Sequence, residues 1–244
     1  MDWLLADSVE IPEREERWYS EKIYCLPNSY ICYKPPEYDL PVVSLPTLQK
    51  STFTFGCFNN PAKKNYDIVA IWSNVLKAVA DSRLLLKGKA YAEAKTQQRI
   101  KQWFNQCGVN SDRVYFQGHE PHQRLLSAYN NVDLALDPWP YSGGLTTLEA
   151  LWMGVPVVTM PGPTFAGRHA ASHLTHMGLQ DWIVDDAKAY IETCIWWSEH
   201  RSQLSMLRKK LRRRLLSSSL CDAKTFTGDF EMALRKMWTL TANN

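Results

Sequence analysis

Apolar and polar positions change period several times along the 244-residue chain. Short apolar runs at 52–58, 83–87, 113–116, 132–136 and 157–160 have the length of strands buried on both faces. Between them the spacing turns helical. Ile68, Ile71, Trp72, Val75, Leu76 and Val79 share one face of a helix that Asn65 can cap and that runs to about Ala80. A polar helix with a thin apolar stripe is predicted over 91–106, stopped by Gly108, and a shorter helix over 122–130. The stretch 143–160 supplies a helix and the last strand, and further helices are predicted at 165–176, 186–197, 199–216 and 222–239. Strands alternating with helices predict an α/β fold with a Rossmann-like, doubly wound parallel sheet. Such sheets bind ligands beyond the carboxyl ends of their strands, so the turns at 59–64, 117–122 and 138–146 fall at the ligand edge.

Residues 1–46 do not share this pattern. Strand-length runs stand at 3–6 and 23–26, a short charged helix is predicted over 12–22, and Pro27, Pro35, Pro36, Pro41 and Pro46 argue for extended linker. The expected organisation is a preface, 1–46, and one domain, 47–244, on which the preface packs unless it packs on something outside this chain.

Composition narrows the class. Hydrophobic residues at 45% and charged residues at 22% describe a globular chain, and ten tryptophans suggest large packed surfaces, an acceptor groove or a partner interface. A net charge of +3 suits anionic small molecules and does not argue for nucleic acid. The run 208–214 is basic, but without interleaved aromatics or glycines it reads as a solvated helix face. Cys25, Cys32, Cys57, Cys107, Cys194 and Cys221 form no CxxC pair, so they are expected to be reduced thiols of a cytoplasmic protein. No apolar run approaches the ~20 residues that cross a bilayer, and no signal peptide is expected, because the first residues soon turn acidic.

The candidate chemistry lies after the strand at 132–136. Pro138 and Pro140 stop it, Gly143 and Gly144 allow a tight turn, and Leu145, Thr146 and Thr147 open a helix that ends at Gly154. Free N–H groups and the positive end of the dipole attract anions there. A diphosphate would fit at the threonines, with a ribose hydroxyl on Glu149; an ordinary βαβ link with two capping threonines fits the same residues. Lys63 and Lys64 sit in another turn of that edge, either to neutralise a phosphate or as solvated lysines. His169, His173 and His176 recur on one helix, but no HExxH order supports a metal, which favours nucleotide contact or plain surface.

Longer motifs carry a resemblance. Phe55-Gly56-Cys57-Phe58-Asn59-Asn60-Pro61-Ala62-Lys63, Arg83-Leu84-Leu85-Leu86-Lys87, Leu134-Ala135-Leu136-Asp137-Pro138-Trp139-Pro140-Tyr141, the stretch from Thr146 to Thr159, and Ala166-Gly167-Arg168-His169-Ala170-Ala171-Ser172-His173-Leu174 resemble the catalytic C-terminal region of O-linked N-acetylglucosamine transferases, glycosyltransferase family 41, in the bacterial branch linked to tetratricopeptide repeats. The resemblance implies the C-terminal half of a GT-B glycosyltransferase. It further implies inverting transfer of N-acetylglucosamine from UDP-GlcNAc to Ser or Thr hydroxyls of an acceptor protein, with no metal, no cofactor and no membrane. Lys63 then matches the lysine on the leaving diphosphate, and Asn60 the neighbouring amide. Gly143, Gly144, Leu145, Thr146 and Thr147 match the phosphate turn, and Glu149 the acid on the ribose. Glu120 and His122 match positions that border the uracil. The resemblance assigns no general base. Residues 1–46 match the end of the family's N-terminal Rossmann half, so that half and the helical repeats are expected in cis or in trans. Two positions depart from the pattern: Leu125 stands where many members stack a histidine on uracil, and Gly144-Leu145-Thr146 where some have His-Thr-Thr. Other readings are a nucleotide-sugar binding module inactive alone, and a GT-B enzyme using another UDP-sugar, such as an epimerase.

Overall fold

The structure, a computed structural model, describes residues 2–242. Its centre is a five-stranded, all-parallel sheet. β1 (Trp3–Ala6) and β2 (Lys22–Cys25) form a separate parallel pair; β3 (Phe53–Cys57), β4 (Ser82–Lys87), β5 (Val114–Gln117), β6 (Leu134–Leu136) and β7 (Val157–Val158) form the main sheet in the order β5-β4-β3-β6-β7. The order reverses at β3, between β4 and β6, which opens a crevice at the carboxyl ends of β3 and β6. Phe55 lies opposite both Leu84 and Leu134, and Ala135 opposite Val157. β3 is buried throughout, as its continuous apolar run requires.

The helices α1 (Tyr66–Ala78), α2 (Ala94–Gln106), α3 (His122–Ala128), α4 (Leu145–Trp152), α5 (His169–His176), α6 (Ala187–Glu199), α7 (Arg201–Leu216) and α8 (Ala223–Ala242) surround the sheet. Asn65 caps α1, its side chain accepting from the Ile68 N–H at 2.9 Å. The apolar stripe of α1 is buried at Ile68, Trp72, Val75 and Leu76. The predicted helix over 91–106 is split: a 3-10 turn covers Lys89–Ala92, and the extended backbone at Glu93 precedes α2.

The preface is more ordered than its sequence suggests. The charged helix expected over 12–22 is one short 3-10 stretch, Glu13–Trp18, with no buried residue to hold a longer helix, and β2 begins at Lys22. Leu26 joins Ala233 and Met237 of α8 in a second small core, with Trp3, Leu5, Tyr24 and Phe226 around it. The Trp3 indole donates to the Thr241 hydroxyl at 3.2 Å. Further along, Tyr33, Leu40 and Leu45 enter the main core.

The basic run is where the solvated-face expectation fails. Arg208 is buried and donates to the carbonyls of Val43 (2.9 Å) and Val132 (2.7 Å). Arg212, one turn on, donates to Leu40 (2.7 Å) and Trp152 (2.7 Å). Arg214 caps the Gly178 carbonyl. Only Lys209, Lys210 and Arg213 of the run are left as exposed cations without such a role. Apolar residues share α7 with these arginines, so two of them lie on its buried side and tie the preface down. All six cysteines are free thiols. No helix among the described residues is long and apolar enough to cross a membrane.

Candidate functional site

Two turns meet where β3 and β6 end. After β3, the Asn60 side chain accepts from the Ala62 N–H at 3.0 Å and caps the 3-10 turn Pro61–Lys63. That turn folds Lys63 back across the sheet edge. Its ammonium donates to the Ser142 carbonyl at 2.7 Å and lies 3.8 Å from the centre of the Tyr141 ring. Burial pulls the Lys63 pKa below the ordinary lysine value, and the Asp137 charge opposes that shift. The result is a poorly hydrated cation held by one carbonyl and one ring face, which an anion can recruit. Lys64 is no solvated lysine. It is 5% exposed and donates to the carbonyls of Asn59 (2.7 Å) and Asn60 (3.3 Å), pinning the turn from behind.

After β6, Asp137 organises the second turn. One of its oxygens accepts from the Gly143 N–H and the other from the Thr159 hydroxyl, both at 2.7 Å. Burial pushes its pKa up to about 6. Gly143 has no room for a side chain: a Cβ would lie 2.8 Å from the hydroxyls of Thr146 and Thr147 and 2.9 Å from Asp137 Oδ1. Gly144 is the N-cap of α4, and no side chain caps that helix. The threonine hydroxyls are engaged elsewhere, Thr146 donating to Asn59 Oδ1 at 2.9 Å and Thr147 to the Gly143 carbonyl at 2.8 Å. The capping expectation is therefore met differently: the hydroxyls brace the turn, and the first N–H groups of α4 are left for a ligand.

A cavity of about 490 Å³ opens beside the same helix. Segment 33–38 of the preface forms one wall, and His122, Leu145 and Glu149 form the other. Glu149 is buried, its carboxylate 2.8 Å from His122 Nε2; burial raises its pKa, and His122 opposes the shift. The Tyr38 ring meets His122 edge-on at 5.8 Å. A carboxylate at the floor of an aromatic-walled cavity can accept from vicinal hydroxyls while a flat ring lies between the walls. Glu120 is placed otherwise. Its carboxylate pairs with Lys87, which draws its pKa down, and its side chain is not a cavity wall. Leu125 packs against the core.

The expected residues thus form two neighbouring groups. Asn60, Lys63, Gly143, Gly144 and Thr146 surround the anion turn, and His122, Leu145 and Glu149 the cavity; the Thr147 hydroxyl faces its own turn. Sequence reasoning assigned no role to Asp137, Asn59 or Tyr38. An acid directly after a buried strand was the available signal for Asp137; nothing local marks the other two. Among the described residues, no group of three His, Cys, Asp or Glu side chains is placed to hold a metal ion.

The family model for glycosyl transferase family 41 matches residues 43–230. The chain belongs to glycosyltransferase family 41. This family-41 chain is 35% identical over 243 residues to a probable UDP-N-acetylglucosamine–peptide N-acetylglucosaminyltransferase, SPINDLY, of Solanum lycopersicum, covering 98% of the chain and 26% of that protein. It is 30% identical over 250 residues to the similarly named SEC of Arabidopsis thaliana, covering 98% of the chain and 25% of that protein. A solved mutant of the O-GlcNAc transferase of Thermobaculum terrenum is 33% identical, with a TM-score of 0.89, over 98% of this chain and 45% of that one. A sucrose-phosphate synthase of Thermosynechococcus elongatus shares the fold at 16% identity and a TM-score of 0.65. The family-41 chain spans about a quarter of the length of the curated relatives it matches. Its sheet and helices are those of a GT-B glycosyltransferase domain.

Proposed function

We propose that this chain binds the donor of a protein glycosyltransferase, transferring N-acetylglucosamine from UDP-GlcNAc to Ser or Thr hydroxyls with inversion. One observation carries the reading: an anion turn built from Lys63 and the uncapped start of α4 adjoins a cavity floored by Glu149. The two are neighbours along α4, as a diphosphate and its nucleoside require. The names of the relatives support the sugar and the acceptor class. Lys63 and the helix N-terminus stabilise the negative charge that grows on the leaving diphosphate, which is electrostatic catalysis and needs no metal or cofactor. The acceptor and a second catalytic half, in the same polypeptide or another, complete the reaction. Six free thiols suit a reducing compartment such as the cytoplasm.

Calorimetric titration with UDP, GDP and UDP-sugars, with and without EDTA, tests this. UDP and UDP-GlcNAc should bind, and chelation should leave their affinity unchanged. Glu149→Ala should weaken UDP strongly and pyrophosphate little. Preference for GDP, or a large loss on chelation, would refute the reading.

A further inference from the structure

All three histidines of α5 meet the preface. His176 Nε2 lies 3.4 Å from Asp7, and His173 is fully buried, stacked on Tyr30 at 6.0 Å. His169 is different because one edge of its ring meets the preface while the other faces Gly144 at the start of α4. Its Nδ1 is 2.8 Å from Glu10 Oε1 and 2.9 Å from the Tyr30 hydroxyl. Glu10 is 0% exposed, and its Oε2 has no hydrogen-bond partner, so an Nδ1–H donor is the main compensation for its buried charge. Nδ1 is thereby fixed, and Nε2 makes no hydrogen bond among the described residues.

The free edge faces the anion turn. His169 Cδ2, bonded to Nε2, is 3.9 Å from the place a Cβ would take on Gly144. The ring also meets Tyr141 edge-on at 6.4 Å, and Tyr141 carries the Lys63 ammonium on its face. Docking α5 on the preface does not need this nitrogen. Arg168 pairs with Glu15 at 2.6 Å, and the Ser172 hydroxyl donates to Asp7 at 2.6 Å.

We propose that His169 is a further ligand of the donor's diphosphate, its Nε2–H donating to a phosphate oxygen, with Glu10 as the residue that positions it. The proposal rests on the UDP-sugar reading. In that arrangement both ring nitrogens donate, Nδ1–H to the Glu10 carboxylate and Nε2–H to the phosphate, so the bound ring is a third positive group besides Lys63 and the start of α4.

His169→Asn tests it cleanly, because asparagine can keep a donor on Glu10 while removing Nε2. UDP is titrated by calorimetry and uridine by ligand-observed NMR, against the parent, His169→Asn, Glu10→Gln and the docking control His176→Ala. His169→Asn should lose UDP affinity roughly tenfold to a hundredfold and leave uridine unchanged. Glu10→Gln should weaken UDP but add no further loss in the His169→Asn background. His176→Ala should bind both ligands like the parent. Equal losses for UDP and uridine would mean His169 acts through the fold and overturn the proposal. So would unchanged UDP affinity, which would place His169 away from the phosphates. A parent that binds no uridine nucleotide would instead bring down the donor reading itself.

Discussion

Lys63 and Lys64 are neighbours in sequence and opposite in role. Lys63 stands at the sheet edge, held by a carbonyl and a ring; Lys64 is sealed under the turn. Lys63→Ala should weaken UDP by roughly tenfold to a hundredfold and hardly affect uridine, since a charge-assisted contact contributes ~1.5–3 kcal/mol. Lys64→Ala is no neutral control. It leaves the buried Asn59 carbonyl without its donor, so the melting temperature should fall before any ligand is added, as calorimetry would show. An unchanged melting temperature in Lys64→Ala would mean that water replaces the ammonium. Asp137 makes a pH-dependent prediction. Its folded pKa of about 6 lies above the ordinary aspartate value of 3.8, because burial penalises the charged form, so the folded state holds the proton more tightly than the unfolded one. This contribution favours the fold below pH 4 and is lost as pH rises to about 6, at a cost of order 3 kcal/mol. Asp137→Asn does not titrate. The parent should therefore gain stability relative to Asp137→Asn between pH 7 and pH 5, measured by denaturant unfolding at each pH. A constant difference would mean that Asp137 is ionised throughout.

At the scale of elements, the turn before α4 is limited by space. Gly143→Ala would press a methyl group onto two hydroxyls and a carboxylate at under 3 Å, and none of the three can move without releasing the turn. It should lower both the melting temperature and UDP affinity, whereas Gly144→Ala, whose Cβ would meet only His169 at 3.9 Å, should do much less. Equal effects would put the requirement in the backbone conformation. The elements themselves were largely legible. Five short apolar runs and the stripe of α1 announce a parallel sheet because strands buried on both faces leave little choice of residue. The preface was not, because its order comes from α8, two hundred residues away, and from arginines that look solvated until α7 is placed. The same division holds at the site. Lys63, the glycines and Glu149 stand in motifs and could be read. Asn59 could not, since its role is a hydrogen bond to Thr146 across the crevice, nor could Tyr38, which reaches the cavity only when the preface folds over α3.

Taken whole, the molecule is a sheet domain strapped by the described part of its preface, residues 2–46. That strap walls the cavity, meets α5 through Asp7, Glu10 and Tyr30, and is held by Arg208 and Arg212. It also carries the contact between Trp3 and Thr241, which brings the two ends of the described chain side by side. That contact sets the path of a mechanical load. Tension applied through residues 3 and 241 does not cross the five-stranded sheet; it separates β1 from α8, one contact at a time, as a zip opens. Held in optical tweezers by handles at those two positions, the chain should first yield α8 and the β1–β2 pair at low force, and the sheet only in a later, stronger event. A single rupture of the whole length would show that strap and sheet fail together.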